Sequence, residues 1–240
     1  MYEHTANKPR TSRRRELFWR STITNTRHSY LCELQLISTY VYQNGLQIDI
    51  GVLLTPLTLP VLCTFKLTRV HLPAPHILNP FAVRSFGILK ELSLEYTDIN
   101  DADVIGVLLF CPNLEVLQLV VTNIEVSALA VSLTPSLSWV PGPPVLPHLK
   151  ELFLCEGKLS LRTMQNLLVL VEERGWSRNN ATMLSTDILT KLDVTLSPNG
   201  EGMMDNDTPS DLIHEFLDIA EQGLILVFEQ WYVYIKNSER

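Results

Sequence analysis

One short apolar phrase, Leu-x-x-Leu-x-Leu, recurs six times along the 240 residues of this chain. It falls on Leu31, Leu34 and Leu36; on Leu62, Phe65 and Leu67; and on Leu89, Leu92 and Leu94. It returns at Leu114, Leu117 and Leu119; at Leu149, Leu152 and Leu154; and at Leu189, Leu192 and Val194. Successive side chains of a strand point to opposite faces, so the second and third members of each copy point inward together. Five residues past the third member, another apolar side chain follows in five copies (Val41, Leu72, Ile99, Ile124, Leu159), and Asn199 breaks the column. One such unit cannot bury its apolar face alone, whereas several stacked in order can.

The expected fold is therefore α/β, an irregular leucine-rich-repeat solenoid (a horseshoe) with a parallel sheet on the concave side and helices and loops on the convex side. Successive copies are separated by 31, 27, 25, 35 and 40 residues, so the returns must hold helices and inserted loops. The turn position three residues past the third leucine holds Thr39, Val70, Thr97, Thr122, Gly157 and Ser197. A hydroxyl there can satisfy backbone groups of the turn. Asn100 is placed to cap a helix with Asp101 and Asp103 in its first turn, running to Phe110 and ended by Pro112. Ser160 caps a second, through Met164, Leu167, Leu168 and Val171 to about Arg174, with Gly175 as its stop. Thr208-Pro209 opens a third, with Leu212, Ile213, Phe216, Leu217 and Ala220 as its apolar stripe. Residues 224 to 235 read as a last strand, and the proline-rich 134–147 and polar 197–207 as loops.

Composition sets the bounds. The chain is 46% hydrophobic and 19% charged, as globular domains are. No apolar run reaches the ~18 residues of a membrane span, and no hydrophobic signal segment opens the chain, so a cytoplasmic or nuclear location is expected. Cys32, Cys63, Cys111 and Cys155 are widely spaced and read as free, mostly buried thiols. Residues 1–27 carry seven basic side chains against Glu3 and Glu16, a net of +5 within a chain of net −7. The remainder thus holds −12. Residues 1–28 read as a basic, disordered arm, and 29–240 as the repeat domain.

Three segments share a proline that announces a strand: Leu59-Pro60-Val61-Leu62, Cys111-Pro112-Asn113-Leu114-Glu115-Val116-Leu117 and Leu146-Pro147-His148-Leu149-Lys150-Glu151-Leu152. With residues 97–103 and the helix end Val171-Glu172-Glu173-Arg174-Gly175-Trp176, they make the stretch from roughly 55 to 235 resemble the repeat region of fungal F-box proteins. In that family the repeats recognise a substrate, and an N-terminal F-box docks on the Skp1 adaptor of a ubiquitin ligase. The resemblance implies a substrate-recognition domain. Upstream of Leu31 there is no Leu-Pro followed by the apolar helices of an F-box. A Skp1-like adaptor is therefore a partner only if a docking element lies outside, or unrecognised in, this chain. A family product that has lost its F-box and any ligase role is the alternative.

A protein partner would meet the outward-facing strand residues. Glu91, Glu95, Val116, Gln118, Val120, Glu151, Phe153 and Asp193 form the candidate surface, an apolar patch with an acidic rim. It suits a segment carrying apolar anchors and basic residues. No catalytic motif, metal-ligand spacing or phosphate-cradling glycine loop accompanies His71, His76 or His148, so no enzyme, cofactor or metal is expected. Nucleic acid could be met only by the arm, because the acidic body repels phosphate.

Overall fold

The computed structural model describes residues 26–27, 30–37, 50–70, 72, 77–120, 125–134, 145–156, 161–176, 188–196, 210–221 and 224–227. Within them the chain is α/β, an open parallel sheet backed by helices. The strands are β1 (Thr26–Arg27), β2 (Glu33–Ile37), β3 (Leu57–Thr58), β4 (Thr64–Thr68), β5 (Glu91–Glu95), β6 (Val116–Val120), β7 (Glu151–Glu156), β8 (Lys191–Leu196) and β9 (Ile225–Val227). The helices are α1 (Ile50–Leu54), α2 (Leu78–Ser85), α3 (Asp101–Leu108), α4 (Val126–Leu133), α5 (Leu161–Val171) and α6 (Ser210–Glu221), and one π-helical turn (Glu172–Trp176) extends α5.

The main sheet runs β2-β4-β5-β6-β7-β8-β9, and each described neighbour pair is parallel. Leu34, Phe65, Leu92, Leu117, Leu152, Leu192 and Leu226 stand opposite one another in a single row. Leu36, Leu67, Leu94, Leu119, Leu154 and Val194 form the next. The six leucine-spaced segments thus lie side by side in chain order. Consecutive helices touch in the same order, and the buried faces of both layers merge into one apolar core. Around β4 the core includes Phe65, Phe81 and Phe86, whose ring centres lie 5.2–5.4 Å apart.

A repeated backbone device starts the strands. A turn closes as Leu62 N–H donates to Leu59 O, Leu89 to Phe86, Leu114 to Cys111 and Leu149 to Leu146, each at 3.1 Å. Pro60, Pro112 and Pro147 occupy the first central position of three of these turns and pre-set its φ. The carbonyl just ahead of each strand then accepts two N–H groups from the next unit. Cys32 O takes Cys63 and Thr64, Cys63 O takes Lys90 and Glu91, and Lys90 O takes Glu115 and Val116. Glu115 O and Lys150 O continue the series with residues 150–151 and 190–191. At the far ends of β4 and β5 the chain turns out through left-handed residues, Arg69 (φ 58°) and Tyr96 (φ 52°).

Several expectations shift. The Thr97 hydroxyl is buried and makes no hydrogen bond; the next residue does that work, Asp98 Oδ1 accepting from Leu72 N–H at 2.8 Å. Helix α3 is capped as read, Asn100 Oδ1 accepting from Asp103 N–H at 3.1 Å, but its α-helical part ends at Leu108. On α6, Leu217 is exposed and Ile219 is buried, so the stripe is rotated toward Phe216 and Ile219. Helices α1, α2 and α4 occupy returns in which the sequence calls for helices but marks no start or stop for these three. Strand β1 lies within the stretch read as an arm and pairs in parallel with β3, Thr26 opposite Leu57 and Arg27 opposite Thr58. Only Cys111 of the four thiols is buried, and Cys32 is exposed. Val41, Ile124, Leu159, Asn199, Ser160, Thr39, Thr122, Gly157, Ser197, His71, His76 and the 197–207 stretch lie outside the described residues, as does most of 134–147.

Two arginines tie units together. Arg84, in the last turn of α2, donates to the carbonyls of Leu54, Thr55 and Leu57 at 2.8–3.2 Å. Arg174, in the π-helical turn, donates to those of Leu133, Val145 and Leu146 at 2.6–3.2 Å. Each guanidinium thus reaches the C-terminal end of the preceding helix, at Leu54 and Thr55 or at Leu133, where free carbonyls and the macrodipole favour a cation. It ties that end to the chain within a strand or just before one, at Leu57 or at Val145 and Leu146. Arg174 is 1% exposed, and burial pulls its pKa down to about 10.

Two predictions follow from this packing. Arg174→Met leaves three carbonyls without a donor and should lower unfolding stability by about 3 kcal/mol, read from urea midpoints. Leu117→Ala, in the middle of the row, should cost about 3 kcal/mol. Leu34→Ala at the half-buried end should cost about half of that by the same measurement.

Candidate interaction surface

The same pleat that buries one row turns the alternate residues to the other side of the sheet. Across it, one row reads Glu91, Val116, Glu151 and Lys191 from β5 to β8. The second reads Lys66, Ser93, Gln118, Phe153 and Asp193 from β4 to β8. The third reads Thr68, Glu95, Val120 and Cys155 from β4 to β7. The eight residues singled out from the sequence therefore share this face, on four adjacent strands. All eight are half-buried, their neighbours along the rows covering their flanks. The core and the described helices lie on the opposite side. Strand β9 does not fold over the face; it pairs edgewise with β8.

The geometry adds side chains that change the electrostatics. Lys66 Nζ lies 2.5 Å from Glu91 Oε1, so this carboxylate is already paired. Lys191 Nζ lies 3.7 Å from Asp193 Oδ2 and 4.3 Å from the centre of the Phe153 ring. The ammonium thus sits over the aromatic face and covers part of it. Ser93 is fully buried beneath its neighbours and donates to Glu95 Oε1 at 3.1 Å. Among the described residues, Glu95 and Glu151 make no ion pair. The acidic rim of the apolar patch is therefore carried mainly by these two. Alternation along the strands also puts Lys66 and Lys191 on this face; their contacts with Glu91, Asp193 and the Phe153 ring are what the sequence pattern does not give.

A second charged row runs below the first, along the residues that precede the strands. Lys90 Nζ is 2.9 Å from Glu115 Oε1, and Lys150 Nζ is 2.9 Å from Glu115 Oε2. Lys90 and Glu115, together with Ile88, Asn113 and His148, line a shallow cleft of about 390 Å³. The Lys150 hydrogen bond, and then that of Lys90, pulls the Glu115 pKa down to about 2. The alternation Lys90, Glu115, Lys150 in one column was the available signal for it.

Among the described residues, no group of three or more His, Cys, Asp or Glu side chains is placed to hold a metal ion. None of the described helices is long and apolar enough to cross a membrane. What the arrangement offers is a face on which apolar and charged side chains alternate across adjacent strands. No protein-family model and no curated protein matches the chain.

Because the Glu115 pKa is lower when folded, its ion pairs add stability above the unfolded value of about 4.5, and this is lost as pH falls toward 2. The pairs are largely solvent-exposed, so their worth is below about 1 kcal/mol. Glu115→Gln should therefore be slightly less stable than the native chain at pH 7 and equal to it near pH 2. Carboxyl NMR titration should place Glu115 at about 2 and move it upward in Lys150→Gln.

Proposed function

We propose that this chain is a non-catalytic protein-interaction module, built as a leucine-rich-repeat solenoid, whose open sheet face holds an extended partner segment. The reading rests on one observation: Val116, Val120 and Phe153 stand half-exposed on adjacent, rigidly paired strands, with Glu95 and Glu151 beside them. Apolar anchors flanked by polar side chains are the usual make-up of a protein-binding surface. The in-order stacking of leucine-spaced strands supports the solenoid, since such arrays present long open faces. A partner with apolar side chains and basic residues suits the patch and its two carboxylates.

The likeness of the proline-announced strands to fungal F-box repeats extends the proposal to substrate recognition for a ubiquitin ligase in the cytoplasm or nucleus. That extension depends on a Skp1-like adaptor meeting a docking element outside the stretch described above.

The test is affinity capture from the cell of origin with three baits that match in far-UV circular dichroism. These are the native chain, the Val120→Asp/Phe153→Asp double variant, and a helix-side control, Val83→Asp, at a position 60% exposed. Partners held by the native chain and the control but depleted about tenfold or more on the double variant support the proposal. Equal recovery on all three baits removes the open face as the binding site. Co-recovery of a Skp1-like adaptor carries the ligase extension, and its absence removes that extension alone.

A further inference from the structure

Among the described residues, strand β2 ends the sheet, and its hydrogen bonds all run one way. In a parallel pair, alternate residues direct their N–H and C=O groups to the same neighbour. Cys32 O bonds to β4, so Leu34 and Leu36 face β4 as well. The backbone groups of Glu33, Gln35 and Ile37 then point out of the sheet. The side chains here are less covered than in any other copy. Tyr30 is 95% exposed, Leu31 40% and Ile37 55%, while the counterparts of Leu31 in the next five copies are 0% exposed. Leu34 and Leu36 are only half-buried. An open strand edge with exposed apolar flanks is a template for another strand.

We propose that this edge pairs with the same edge of a second copy of the chain, antiparallel, about a two-fold axis through Gln35. The segment Glu33-Leu34-Gln35-Leu36-Ile37 is self-complementary in that register. Gln35 meets Gln35, Leu34 meets Leu36 on the core side, and Glu33 meets Ile37 on the open face. No like charges face each other. The outward-pointing backbone groups of Glu33, Gln35 and Ile37 become the mutually bonded pairs that antiparallel geometry requires. Both inward leucines fall on the same side as those of the partner, so the two cores join beneath one continuous sheet. A two-fold contact closes on itself. The rival is head-to-tail pairing of β9 with β2 of the next copy, which would propagate without limit.

The register gives the test its specificity. Sedimentation velocity across a concentration series should show the intact chain moving from monomer to dimer and no further. Ile37→Glu sets a carboxylate opposite Glu33 at both symmetric positions and should weaken the dimer about tenfold. Ile37→Lys sets an ammonium there instead and should hold or tighten it, an effect removed by salt. Gln35→Pro deletes a central N–H that has no partner within the sheet, so it should abolish the dimer and leave the circular dichroism unchanged. A chain that stays monomeric up to hundreds of micromolar overturns the proposal. So does open-ended growth, and so does equal weakening by Ile37→Glu and Ile37→Lys.

Discussion

The carbonyl oxygens of Cys32, Cys63, Lys90, Glu115 and Lys150 each take two N–H groups from the unit that follows. That contact fixes the position of each of the strands β4 to β8 against the one before it. A slip of one residue would turn all the leucines of a strand outward. With the carbonyl in place, the second and third leucines of each copy can fall only on the rows already begun. The apolar core, the outward face and the column of Lys90, Glu115 and Lys150 all inherit their alignment from this one backbone bond.

The parts legible in the sequence are those with a strict period. Phe65, Leu92, Leu117, Leu152 and Leu192 could be placed because each sits at a fixed offset within its phrase, and burial enforces that offset. The outward residues followed by alternation, which is why Glu91, Val116, Phe153 and Asp193 were correctly assigned to one face. Helix α3 could be read because Asn100 and its two aspartates mark a start independently of packing. Helix α4, Val126–Leu133, carries no such mark: it has no charged residue and is apolar on nearly every side, so it shows no stripe. Helix α2 hides behind Asn79-Pro80, which reads as a turn but occupies the first turn of a helix, where a proline is tolerated.

Contacts between side chains far apart in sequence were beyond reach of pattern. Nothing local to Arg174 distinguishes a solvated helix end from a guanidinium buried against Leu133, Val145 and Leu146. The same holds for Lys191, whose ammonium is set over Phe153 by the pairing of β7 with β8. Both depend on loops bringing separate units together. The periodicity identified the surface; its charge balance required the register and the rotamers.

The unequal returns have a consequence for how such a chain can change over generations. Corresponding residues of β5 and β6 are 25 apart in sequence, those of β7 and β8 are 40 apart, yet both pairs make the same kind of step. Length is thus decoupled from pitch. Gene segments encoding the returns can lengthen, shrink or be exchanged without disturbing the rungs, so the molecule can diversify its back while its front stays in alignment.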